Sequence, residues 1–170
     1  MDEFFGYGSL VNLGTHDYPS ARRVTVEGWG RIWRHTALAD HAILTAVPRD
    51  GARIDGIVAQ VPGRDWAALD AREGAYLRAA LPDGTAIYHI PENLHPVADT
   101  AQPILLSYLD VVVRGYLQQF GEAGVHRFFA TTDGWQAPVR DDRAAPLYPR
   151  AQQLSQAERA LVDAALAAHR

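Results

Sequence analysis

The chain is predicted to fold as an α+β protein with a curved, largely antiparallel sheet, because strand-like segments fill its first half and helical ones its second. Two further observations support this reading. The strand-like segments follow one another through turn residues, as in a meander, and the second carries two glycines that let it bend. No internal repeat and no long linker divides the sequence, so residues 1–170 are read as a single domain.

Taken in order, Asp2 to Tyr7 reads as the first strand, and it breaks into a turn at Gly6-Tyr7-Gly8-Ser9-Leu10. Val24 to Thr36 suits one long bent strand interrupted at Gly28 and Gly30. Ala42 to Val47 and Ile54 to Val61 are read as two more strands, joined by a hairpin at Pro48-Arg49-Asp50-Gly51. The apolar period then changes from two to about 3.6, which opens a short helix from Asp65 to Gly74. Tyr76 to Leu81 and Thr85 to Ile90 form a further strand pair around Pro82-Asp83-Gly84. Pro103 opens a helix to about Gln119, with Ile104, Tyr108, Val111, Val112 and Leu117 as its buried stripe. Gly121 and Gly124 punctuate the chain before a helical piece at Val125 to Phe129, and Thr131 to Trp135 is a turn. Arg140 to Arg150 has no clear period and is expected to be an ordered but irregular connection. Ser155 and Glu158 have the spacing of a capping box, so the last helix starts there, and it is expected to pack on the sheet.

Composition removes several classes of function. There is no cysteine, hence no disulfide, thiolate metal site or cysteine nucleophile, and all sixteen basic residues are arginine. Without lysine there is no P-loop lysine, Schiff base or pyridoxal anchor. A net charge of −4 with dispersed arginines lacks the basic stripe of a nucleic-acid binder. No apolar run approaches the roughly 20 residues of a membrane span, and the acidic start Met1-Asp2-Glu3 is unlike a signal peptide, so a cytoplasmic protein is expected.

Two stretches carry the chemistry. Glycines as close as Gly6 and Gly8 give the backbone unusual freedom, so the N–H groups of Gly8, Ser9 and Leu10 can point into one concavity and bind an anion, or the strand simply ends in a tight turn. On the helix Asp65 to Gly74, Trp66, Leu69 and Glu73 lie along one line, which puts Glu73 on the apolar stripe. A carboxyl there is hard to ionise, which suits a general base or proton shuttle; a structural glutamate bonded to Arg72 or Arg78 is the alternative. Other constellations are weaker. Ser9 lacks the following glycine of a nucleophile elbow, and the histidines never fall at the spacing of a helical metal pair, so no metal is expected. Asp141 and Asp142 are read as solvated carboxylates, and Tyr88 and Tyr108 as packing or pocket-lining tyrosines.

The loop Gly6-Tyr7-Gly8-Ser9-Leu10 after a first strand, followed by Leu69-Asp70-Ala71-Arg72-Glu73-Gly74 at a helix end, resembles the γ-glutamylcyclotransferase-like family. The motifs occur in the family's order, and the resemblance runs from the first strand through the helix bearing Tyr108; the tail beyond Gln119 is similar to bacterial members more loosely. Asn12 stands where the glutathione-degrading branch often has tryptophan, and Leu10 where the animal branch has asparagine. The resemblance implies a small mixed β-barrel with flanking helices. It also implies Glu73 as catalytic acid/base and Tyr7, Gly8, Ser9, Leu10, Tyr88 and Tyr108 as substrate-binding residues. The implied reaction converts a γ-glutamyl amine, amino acid or peptide to 5-oxoproline and the free amine, with no cofactor. A small-molecule γ-glutamyl compound is then the expected partner. A non-catalytic binding module on the same fold and an amidohydrolase are the alternatives.

Overall fold

The computed structural model describes residues 2–170. Its framework is a six-stranded sheet built from β1 (Glu3–Gly6), β2 (Arg22–Arg34), β3 (Ile43–Gln60), β4 (Leu77–Ala80), β5 (Ala86–His89) and the short β7 (Thr132–Asp133). The strands lie in the order β4-β5-β1-β3-β2-β7. A second sheet is a single parallel pair, β6 (Ile104–Leu105) with β8 (Val139–Arg140). Three α-helices complete the fold: α1 (Ala67–Arg72), α2 (Leu106–Ala130) and α3 (Gln156–Ala168).

Alternation along β1 sends its side chains to two different cores. Phe4 joins Leu44, Ile57, Leu69 and the buried faces of α2 and α3, whereas Phe5 and Tyr7 join Ala46, Ile54, Val58, Leu81 and Ile87. Among the described residues no helix residue belongs to the second cluster, so the sheet buries that face by curling over itself. The curl does not become a closed barrel: among the described residues no ladder joins the edge strands β4 and β7. The sheet is also less antiparallel than expected, because β5 runs parallel to β1 and β7 parallel to β2.

The hairpin expected at Pro48 to Gly51 is a bulge inside one continuous strand. Both halves of β3 pair with β2, Ile43 to Pro48 facing Trp29 to Arg34 and Arg53 to Val58 facing Arg22 to Glu27. Arg49 to Ala52 thus stand opposite the single residue Gly28, and Gly28 and Gly51 take φ values of 79° and 73° to absorb the mismatch.

Helix boundaries also differ. Ile104 is a strand residue, α2 starts at Leu106, and it continues through Gly121, where φ of 68° breaks its regularity, to Ala130. The segment expected as a turn after Thr131 contributes β7. The capping box of α3 is present, with the Glu158 N–H donating to Ser155 Oγ at 3.2 Å and the Ser155 N–H to Glu158 Oε2 at 2.7 Å. This helix packs on α2 rather than on the sheet.

Candidate active site

The site lies where the end of β1, the end of α1 and the first turn of α2 meet. After Gly6 the chain makes a 3-10 turn, Ser9–Val11, whose first hydrogen bond runs from the Val11 N–H to the Gly8 carbonyl at 3.0 Å. The amides of Gly8, Ser9 and Leu10 precede that bond and have no acceptor within the turn. Asn12 anchors the turn from below: its buried amide donates to the Val111 carbonyl at 2.9 Å and to Gln152 Oε1 at 2.8 Å. His16 holds the other side, accepting from the Tyr18 N–H at Nδ1, which leaves Nε2 to donate to the Leu10 carbonyl at 2.9 Å. Burial holds its pKa below the ordinary histidine value, so it stays neutral.

Gly8 is required for space. Its φ is −118°, outside the left-handed region, but a Cβ there would stand 2.8 Å from Tyr108 Oη. The missing side chain lets the Tyr108 hydroxyl lie against the Ser9 backbone amide, and with ψ of −125° the backbone of Gly8 falls in neither the helical nor the extended region.

Glu73 is the residue just after the last turn of α1, its N–H donating to the Leu69 carbonyl at 2.9 Å. Leu69 is fully buried beneath it, so the end of the helix, and Glu73 with it, is fixed against the core. The Glu73 side chain is 14 % exposed, and burial pushes its carboxyl above the ordinary range, with Arg72 and Arg150 pulling the other way. Arg72 Nε lies 3.3 Å from Glu73 Oε1. The same guanidinium donates to the Thr15 carbonyl at 2.9 Å, to Thr15 Oγ1 at 3.0 Å and to Ser9 Oγ at 3.4 Å. Of the two arginines named as structural partners for Glu73, Arg72 is the one that pairs; Arg78 binds Asp70 and stacks over Trp66.

These elements enclose a niche of about 20 Å³, lined by Tyr7, Gly8, Ser9, Leu10, Glu73, Tyr88 and Tyr108 together with Phe5, Gly6, Leu44 and Tyr76. It is large enough for one water or one ligand oxygen. The niche adjoins a cleft of about 280 Å³, and Ser9, Leu44, Glu73, Tyr76 and Tyr108 line both. All seven residues singled out in the sequence thus meet at one place. Two of the tyrosines are already engaged: the Tyr7 hydroxyl donates to the Tyr88 carbonyl at 2.5 Å, and the Tyr88 hydroxyl to Asp70. Tyr76 donates to the Leu44 carbonyl at 2.7 Å. Burial raises the pKa of Tyr7, Tyr76 and Tyr108, so these phenols remain donors.

Sequence reading missed Tyr76, Leu44, Arg72's grip on the loop, and the Tyr148 to Arg150 wall of the cleft. Nothing in the periodicity marks them, because Tyr76 follows the helix in a turn and residues 148–150 lie in an irregular segment. Behind the loop, Arg31 is 1 % exposed and donates to the Tyr116 hydroxyl at 2.5 Å, whose own proton lies between the Asp55 carbonyl at 2.6 Å and the Tyr7 carbonyl at 2.8 Å. Asp142 is buried rather than solvated; it accepts from the Ser107 N–H at 2.8 Å and the Leu147 N–H at 2.9 Å. Among the described residues no three His, Asp or Glu side chains gather in the geometry of a metal site.

Several solved structures share this architecture. One is a gamma-glutamyl cyclotransferase, matched over 95% of this chain and 98% of its own at a TM-score of 0.56 and 14% identity. Another is an uncharacterized protein from Homo sapiens, matched over 95% and 97% at a TM-score of 0.55 and 14% identity. YkqA from Bacillus subtilis matches 78% of this chain and 55% of its own, at a TM-score of 0.56 and 17% identity. No family model and no curated relative matches the sequence. At such identities the likeness is one of fold. The chain has the fold of the gamma-glutamyl cyclotransferase structures, and the resemblance read from its two motifs holds at that level.

Proposed function

We propose that the protein is a γ-glutamylcyclotransferase, releasing an amine from a γ-glutamyl compound as 5-oxoproline forms. The observation that carries this reading is Glu73: a carboxyl with a raised pKa on the wall shared by the niche and the cleft, in the same niche that the Gly8 to Leu10 turn lines. The niche admits one oxygen and the cleft a small molecule, which matches an amide whose carbonyl oxygen enters the turn while the rest lies outside.

The α-amine of the substrate attacks its own γ-carbonyl carbon, and the C–N bond to the departing amine breaks. The attacking ammonium sheds two protons in becoming the lactam N–H, one before and one after the attack; Glu73 takes each in turn and passes it to the departing nitrogen, which leaves as an ammonium, so atoms and charge balance without water. A carboxyl held above its ordinary pKa serves both steps. The turn's amides and the Tyr108 hydroxyl stabilise charge on the oxygen, and the fixed walls hold the chain near its attack geometry, an effect worth up to roughly 7–11 kcal/mol in favourable cases.

A covalent route through the protein has less support. Ser9 Oγ accepts from Arg72 and, among the described residues, is hydrogen-bonded to no base, since the nearby His16 uses its Nε2 on the Leu10 carbonyl. The Arg72–Glu73 pair is the one feature that favours a non-catalytic role for the glutamate. Incubating the protein with γ-glutamyl amino acids, γ-glutamylamines and glutathione, and looking for 5-oxoproline by mass, tests the proposal. Its appearance with any member of the panel supports the reading, and its absence with all of them refutes it.

A further inference from the structure

The outer cleft is more cationic than a γ-glutamyl group alone requires. Its one carboxylate is Glu73, against the guanidinium groups of Arg72 and Arg150. Arg72 is committed to Glu73, Thr15 and Ser9. Arg150 differs: among the described residues it has no hydrogen-bond or ion-pair partner, yet it lines the cleft and its charge acts on Glu73.

The segment carrying Arg150 is irregular but held. Arg143 grips Asp110 through two bonds of 2.8 Å and 2.7 Å and reaches Asp163 at 2.9 Å. Asp142 fixes Leu147 to the start of α2 through Ser107, and Gln152 is tied to Asn12 under the turn. The Tyr148 ring packs edge-on to Tyr108 at 5.0 Å between centroids. Arg150 is thus displayed on a pinned strap rather than a loose loop, and the cleft wall beside it is apolar, with Ala42, Ile43, Leu105, Leu147 and Pro149.

We propose that this strap is the binding site for the departing group, and that Arg150 pairs there with a carboxylate, so the favoured substrates are γ-glutamyl derivatives of an apolar amino acid. The inference rests on the cyclotransferase reading. A γ-glutamylamine is neutral overall once its α-amine and α-carboxylate cancel, whereas a γ-glutamyl amino acid carries one further negative charge, the sign that the unpaired guanidinium complements. Its apolar side chain would cover Leu147, which is 48 % exposed.

The test compares γ-glutamylleucine with γ-glutamylisopentylamine, which differs only in lacking the leucine carboxylate. Calorimetry on Glu73→Gln protein, where turnover does not interfere, is expected to show γ-glutamylleucine binding about ten to a hundred times more tightly, the range of a charge-assisted hydrogen bond. Adding Arg150→Gln should collapse that preference, and Arg150→Lys should restore part of it. Equal affinity for the two compounds, failure of both to bind, or an equal loss for both on Arg150→Gln would overturn the inference. The wild-type protein assayed in parallel for 5-oxoproline tests the reading beneath it: a carboxylate preference without product would sink the cyclotransferase while leaving Arg150 as a carboxylate-binding residue.

Discussion

Arg72 and Glu73, neighbours in sequence, pair at 3.3 Å on the wall of the cleft, with side chains only 7 % and 14 % exposed. The pairing is incomplete: burial still holds the Glu73 carboxyl above its ordinary pKa against the pull of Arg72. A group poised in this way can take and return a proton, and the balance between burial and the arginine sets where it titrates.

Removing the proton acceptor while keeping its shape is the first perturbation. Glu73→Gln should retain the fold and lose about 10²–10⁴ or more in kcat, because the amide cannot shuttle a proton. The stability effect has a definite sign. A carboxyl whose folded pKa is raised loses stability as pH climbs from its unfolded pKa through its folded one, since the unfolded chain ionises first. The variant should therefore be as stable as the wild type at low pH and relatively more stable at neutral pH. Melting curves across that window measure this; a destabilised variant at neutral pH would show that the ion pair dominates.

Arg72→Met removes the cation that lowers the Glu73 pKa, so the acid limb of the pH–rate profile should move to higher pH. The variant also deprives Thr15 and Ser9 of their donor and should cost about 1–3 kcal/mol in urea unfolding, the range for leaving buried polar groups unpaired. An unmoved acid limb would mean that Glu73 is not the titrating group.

Gly8→Ala places a methyl 2.8 Å from Tyr108 Oη. Overpacking of this kind costs about 1–3 kcal/mol, here taken from ligand binding as the niche fills. Tyr108→Phe removes the clashing oxygen, so in the double variant part of the binding lost to alanine should return. Strict additivity in that cycle would show that the two residues do not meet as described.

Tyr116→Phe breaks the link from Arg31 to the Asp55 and Tyr7 carbonyls and leaves buried groups short of a partner. Urea denaturation should register a loss of about 1–3 kcal/mol. The phenol itself, pushed up to about 12 by burial, is neutral throughout the accessible range, so this loss should not vary with pH between neutrality and mild alkali.

The order of strands before helices and the α3 capping box were legible in the sequence, since each rests on local periodicity or a local motif, whereas the meeting of Glu73 with the Gly8 turn was expected only from the resemblance that the two motifs carry together. The rest depends on pairing at a distance. Pro48 and Asp50-Gly51 carry a hairpin signal, but both flanking segments find a better partner in β2, and the turn residues become a bulge opposite Gly28. The parallel β1–β5 and β2–β7 ladders, the open sheet and the docking of α3 on α2 have no local signature. Arg150 was hidden for the same reason: its place in the cleft is set by anchors at Asp142, Arg143 and Gln152 on an aperiodic segment.

The most direct test follows the oxygen atoms. Turnover of a γ-glutamyl amino acid in water enriched in oxygen-18 should give the free amino acid and 5-oxoproline without label, because the α-amine and not water attacks the γ-carbonyl. Mass spectra showing glutamate with oxygen-18 in its γ-carboxylate would identify a hydrolase and contradict the account.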